Sequence, residues 1–154
     1  MGDERAKLAI EMESYRLKKY IGAYTTASGR VDNLIFTAGV GEMIDIICDK
    51  VLEGLDILGI KHNPEKNRLA RTRNAELDIS ADDSSVKIFI IPTDEELVFV
   101  EDVVALLEGT YDIHTNFKYT FQEKDYKNLM REKSFEEECK KKPDLSKIKA
   151  NGNN

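Results

Sequence analysis

Two short segments carry residue types that phosphate chemistry needs. The first is FTAGVGE, residues 36–42. A strand running into Gly39 and Gly41 lets the backbone approach a phosphate or ribose with no Cβ in the way. A helix starting there points its free N–H groups and positive end at the same spot. A tight strand-to-helix turn also needs glycine for geometry alone, so spacing by itself leaves both readings open. The second segment is IPTDEEL, residues 91–97. A strand leaves through Pro92 into a helix capped at Thr93 or Asp94, with Asp94, Glu95 and Glu96 at its first turn. Acids there ordinarily serve the helix dipole. A carboxylate in that place can also hold, directly or through water, the Mg²⁺ that accompanies ATP.

Other reactive residue types are sparse. Cys48 and Cys139 form no CxxC pair and offer too few ligands for a metal, so they read as reduced thiols. His62 falls in a polar stretch and His114 on a polar face, and solvated side chains account for both. The basic run Lys140 to Lys142 follows the acids Glu136 to Glu138, a spacing that favours ion pairs on a helix surface.

The elements that position the two segments follow from periodicity. Asp3 caps a predicted helix that runs to about Ser28 and ends at Gly29. Ala6, Ile10, Ser14, Leu17, Ile21 and Tyr24 form its stripe. A buried strand is expected over 31–37. After the glycine turn comes a helical stretch with Met43, Ile46, Ile47, Val51 and Leu55 on one face. HNPEKNRLARTRN, residues 62–74, reads as a polar surface excursion. Strands are predicted over 75–80 and 86–92, then a helix from Glu95 to Leu107 closed by Gly109. The order is α/β or α+β.

Beyond residue 108 the pattern changes. Tyr111, Ile113, Thr115, Phe117, Tyr119 and Phe121 alternate with polar residues, which predicts a half-buried strand over 111–121. A charged helix is expected over 122–142, and the end, 143–154, is expected to be disordered. The domain organisation read here is 1–108, then 109–142 as a strand-helix extension, then a tail.

Composition limits the function classes. The chain has 154 residues, 41% hydrophobic and 34% charged, with a net charge of −6. That is a globular mixture with no electrostatic footprint for nucleic acid. No apolar run approaches the roughly 20 residues of a membrane span, and the charged start is unlike a secretory leader. A cytoplasmic location is the expectation.

FTAGVGE and VKIFIIPTDEEL, with YRLKKYIGAY before them and LEGLDILGIK between, together resemble the acetate kinase family (acetate/propionate kinases). The resemblance covers residues 2 to about 108. It implies part of the C-terminal, actin-like and RNase H-like ATPase domain, with residues 109–142 as an extension outside the family pattern. It implies a phosphotransferase that makes acetyl phosphate and ADP from ATP and acetate, with ATP/ADP and Mg²⁺ as cofactors. The family's G-[IV]-G-E-N loop falls on Gly39, Val40, Gly41, Glu42 and Met43, where it lines the nucleotide. Its P-T-N-E-E segment places a magnesium-associated glutamate at Glu95. Two departures stand inside these motifs: Met43 replaces the usual Asn, and Asp94 replaces another.

The family's catalytic aspartate, substrate arginine, magnesium asparagine and main phosphate loop lie upstream, and nothing in this sequence matches them. The chain is therefore expected to be inactive alone and to partner a complementary N-terminal kinase part or a second copy. The alternative reading is a non-catalytic dimerisation or regulatory protein that keeps the kinase fold.

Overall fold

The computed structural model describes residues 3–150. In chain order the elements are α1 (Glu4–Ser28), β1 (Asn33–Phe36), α2 (Ala38–Met43), α3 (Asp45–Leu52), α4 (Pro64–Leu69), β2 (Leu77–Asp78), β3 (Lys87–Ile90), α5 (Glu95–Glu108) and α6 (Leu129–Lys141). Short 3₁₀ turns stand at Asp56–Leu58, Thr120–Gln122 and Pro143–Ile148.

The ends of α1 are where the sequence puts them. The Asp3 side chain accepts from Arg5 N at 2.8 Å, and Gly29 closes the helix at φ 78°. Ile10, Ser14, Leu17 and Ile21 turn inward, while Ala6 and Tyr24 stay exposed. β1 and β3 pair in parallel from Asn33↔Lys87 to Phe36↔Ile90, and β2 joins the far side of β3 antiparallel. The order β1-β3-β2 leaves β3 central. Its Ile88 and Ile90 are buried, packed in one cluster with Val51, Leu52, Leu77 and Ile79. Between α1 and β1 lies an open apolar groove of about 430 Å³, walled by residues such as Tyr20, Ile21, Tyr24 and Leu34.

Five segments differ from the sequence reading, the smallest being 123–128, which stays outside the helix expected over 122–142 because α6 is capped only at Asn128. The helix after the glycine turn is two helices, because Ile44 at φ −115° and ψ 82° breaks it. Residues 62–74 are not a solvated excursion. Asn63 caps α4, and Asn67 on α4 is fully buried, donating to Asp45 O at 2.9 Å and Asp49 Oδ1 at 2.7 Å.

The strand expected over 111–121 is absent. Asp112 and Asn116 fold that stretch on itself, with Asn116 N donating to Ile113 O at 2.8 Å and Asn116 Nδ2 to Asp112 Oδ2 at 3.1 Å. Such local bonds compete with a ladder. The alternating aromatics pack on one another instead, Phe117 edge-on to Tyr119 with centroids 4.8 Å apart and Phe121 stacked on Tyr119 at 5.2 Å. Tyr119 Oη donates to Asp102 of α5 at 2.9 Å, which docks the cluster.

The expected disorder from residue 143 is also absent over Pro143–Ile148. There Leu145 is 2% exposed and Ile148 5%, and both belong to the main core with Phe135 of α6. Ala150 N donates to Glu76 O at 2.9 Å, and Lys149 bridges Leu77 beside β2. Residues 151–154 lie outside the described residues. Period-two and charge patterns cannot reveal two isolated apolar residues in a short turn after a helix, which is what anchors this end.

The two thiols should behave differently. Cys48 is fully buried, and burial together with Asp49 and Asp45 pushes its thiol up to about 12. Cys139 is half-buried. At about pH 8 a chromogenic disulfide reagent will label Cys139 in the folded chain, and Cys48 only after denaturant is added. Labelling of both thiols at one rate in native buffer would contradict this packing.

Candidate functional site

β1 delivers the chain to Thr37, and the turn follows. Ala38 sits at φ 60°, the left-handed region that a residue with a Cβ seldom adopts. Residues 37–40 are exposed, and Gly41 and Glu42 are buried. A Cβ on Gly41 would stand 3.2 Å from Phe36 C and 3.3 Å from Phe36 Cβ. Gly41 therefore answers a packing demand of the turn against β1. Gly39 looks outward, where an added Cβ would meet Arg73 Nη2 at 3.3 Å. Of the two glycines, Gly39 leaves open backbone and Gly41 makes the bend possible.

Glu42 faces inward and is 2% exposed. Its Oε1 accepts from Thr93 N at 2.9 Å and from Thr93 Oγ1 at 3.1 Å, while Oε2 stands 3.4 Å from Arg73 Nε. A buried carboxylate is tolerated only when donors satisfy it, and these three do so. The consequence is positional: the glycine turn is fastened to the 91–97 segment, about fifty residues away in sequence. Met43 is half-buried at the end of α2.

Asp94 caps α5, with Oδ1 accepting from Leu97 N at 3.3 Å. Its Oδ2 accepts from Asn128 Nδ2 at 3.1 Å and lies 3.4 Å from Arg131 Nη2. Arg131 also donates to Thr93 O. The carboxylate that the sequence adds at position 94 is thus answered by a cation of α6. Glu95, one residue on, is exposed. It lines a cavity of about 460 Å³ with Glu76, Thr93, Asp94, Tyr126 and Arg131.

The structure brings together Gly39, Val40, Gly41, Glu42 and Met43 on one short turn, and the Glu42–Thr93 bonds tie that turn to the segment carrying Glu95. No group of three or more His, Cys, Asp or Glu that could hold a metal by itself exists among the described residues. A single exposed carboxylate fits a Mg²⁺ that keeps water and substrate phosphates as its other ligands, and does not fit a metal caged by protein.

Sequence reasoning misses Arg73, Asn128 and Arg131, and it misses that Thr93, a candidate cap, donates to Glu42. Thr93 stood inside a motif that was read only for caps and acids. The other three sit in segments read as surface or extension, with no local signal. His62 is not merely solvated, since its Nε2 lies 2.8 Å from Asp49 Oδ1 beside Asn67. His114 is exposed, as expected, and its Nδ1 meets Tyr119 Oη at the edge of the aromatic cluster.

Comparison with known proteins covers most of the chain. The sequence model of the acetokinase family matches residues 1–101. The acetate kinase of Geobacter metallireducens is 57% identical over 125 residues, covering 81% of this chain and 30% of that protein. The acetate kinase of Treponema pallidum is 51% identical over 148 residues, covering 96% of this chain and 33% of that one. That alignment reaches well into residues 109–154, so the segment read as lying outside the family has a counterpart in at least one kinase. Among solved structures, Porphyromonas gingivalis acetate kinase superposes with a TM-score of 0.59 at 42% identity, over 69% of this chain and 26% of that one. The chain spans about a third of the length of the relatives it matches. Among the described residues no helix is long and apolar enough to cross a membrane.

Proposed function

The chain belongs to the acetokinase family, and from that premise we propose that it supplies one nucleotide-facing part of an acetate kinase, a phosphotransferase that converts ATP and acetate to acetyl phosphate and ADP. The observation that carries this reading is the Glu42–Thr93 latch, which holds the glycine turn and the Glu95 segment at one place. In it, Gly39 and Val40 offer open backbone to the nucleotide, Gly41 shapes the turn, and Met43 lies beside the nucleotide at the end of α2. Glu42 acts by positioning and not by contact, since its carboxylate is engaged inside. Glu95 would hold Mg²⁺, which supplies charge neutralisation on the phosphates when the nucleotide is bound.

The apolar residues left exposed on α1 and α5, such as Leu8, Met12, Phe99 and Leu107, support a further part of the proposal: these faces take the rest of the kinase or a second copy. The same exposure suits the alternative reading, a dimerisation or regulatory protein that keeps the fold without the chemistry. Nucleotide binding separates the two.

Met43→Asn tests the nucleotide assignment. An added polar contact is worth about 1 kcal/mol, or about five- to tenfold in affinity. Calorimetry with ADP should show weak binding by the unaltered chain, tightened by that factor in the variant. If Met43→Asn leaves ADP affinity where it was, the turn does not face the nucleotide.

A further inference from the structure

We infer that Arg131 is a positioning residue for the Glu95 turn, and that α6 acts through it as a brace on the candidate nucleotide and magnesium site. The inference rests on the functional reading above and adds a residue that the kinase motifs do not contain.

The Thr93–Asp94 pair is gripped from two sides. From one, Glu42 accepts both donors of Thr93. From the other, Arg131 donates to the Thr93 carbonyl and stands 3.4 Å from Asp94 Oδ2, and Asn128 donates to that same oxygen at 3.1 Å. Both partners on α6 are themselves fixed. Asn128 caps the helix by accepting from Arg131 N at 3.1 Å, so one side chain orders the other's backbone.

The Arg131 and Asp94 side chains are only 26% and 30% exposed, and α6 seals one wall of the cavity that Glu95 lines. Partial burial strengthens such a pair relative to one in open solvent. The brace has a firm anchor. Phe135 is in the core, Asn74 Nδ2 donates to Glu138 Oε1 at 2.8 Å, and Leu145 and Ile148 follow immediately.

A side chain that grips both a helix cap and the carbonyl before it sets the direction in which the next residue leaves. That next residue is Glu95. The Asp94 carboxylate has two tasks, capping α5 through Oδ1 and receiving α6 through Oδ2, and Arg131 offsets the charge that the second task leaves over.

The test compares the full chain with Arg131→Met and Arg131→Lys by hydrogen exchange and by calorimetric titration with Mg-ADP. In Arg131→Met, the amides of Thr93 and Leu97, bonded to Glu42 and Asp94, should exchange about tenfold faster while those of β1 and β3 keep their protection. Mg-ADP affinity should fall by about the same factor, and ADP without Mg²⁺ should bind as before. Arg131→Lys, which keeps the charge beside Asp94, should recover much of both losses. Unchanged exchange at Thr93 and Leu97, or equal loosening of the whole chain, would overturn the brace. Mg-ADP binding unchanged despite faster exchange would overturn the positioning role. If the unaltered chain binds no nucleotide, the functional reading fails by itself, and the exchange data still decide whether Arg131 orders the turn.

Discussion

Purified alone, the 154-residue chain will show no acetate-dependent consumption of ATP above a matched blank in a coupled hydroxamate assay. Phosphoryl transfer asks the protein for little covalent chemistry and much positioning: donors around the phosphates, a metal, an aligned acceptor. The candidate site here offers one open turn at Gly39 and one exposed carboxylate at Glu95. The buried acid of the site, Glu42, is committed to Thr93 and Arg73. The candidate cation, Arg131, is committed to Thr93 and Asp94. Nothing in that set can orient acetate for attack. Such enzymes gain many orders of magnitude from the complete constellation, so the expected effect of lacking most of it is total loss. Turnover that rises with acetate in the purified chain would refute this assignment of roles.

Removing residues 110–154 will leave a protein that precipitates or lacks a cooperative thermal transition. Phe135, Leu145 and Ile148 are 5%, 2% and 5% exposed within the main core cluster. Burial of each is worth roughly 1.5–3 kcal/mol, against a total stability of about 5–15 kcal/mol for an ordinary domain. The deletion also uncovers the core residues they rest on and strips Tyr119 from α5. A milder probe is Leu145→Ala, which should cost about 2–5 kcal/mol in denaturant unfolding. A 1–109 chain as soluble and heat-resistant as the full one would mean that the tail contributes nothing to the core.

Much of the first two thirds of this chain is legible because local physics and tertiary packing agree there, the exceptions being the break at Ile44 and the buried Asn67 of α4. Asp3 and Gly29 bound α1, Gly109 closes α5 in the left-handed conformation, and the apolar runs around Ile35 and Ile88 become paired strands. The glycine turn and the Glu95 segment were visible as motifs, but their union was not. Only the fold shows that Glu42 crosses to Thr93. The tail misled for a physical reason. Its alternating aromatics fit a strand equally well, and the choice is made by Asp112 and Asn116, whose side chains fold the backbone into a turn. Leu145 and Ile148 look unremarkable among lysines, because two apolar residues carry no period. Arg131 gave no signal at all, since its role exists only where α6 meets the Asp94 cap.

The three-stranded sheet has a direction of growth. On the β2 side it is finished: residues 61–63 bond to 79–81, with Asn63 N donating to Ile79 O at 2.8 Å and Ala81 N to Lys61 O at 2.9 Å. Lys149 and Ala150 close what is left beside Leu77 and Glu76. On the β1 side, by contrast, Asn33–Phe36 bond only inward to β3 among the described residues. Among the described residues, a fourth strand can therefore be added only along β1. It would lie along β1, over the apolar groove beneath α1, with its end next to Thr37 and Gly39. A strand added there would also wall the Gly39 turn on its open flank, so that completing the sheet and enclosing the candidate site would become a single event.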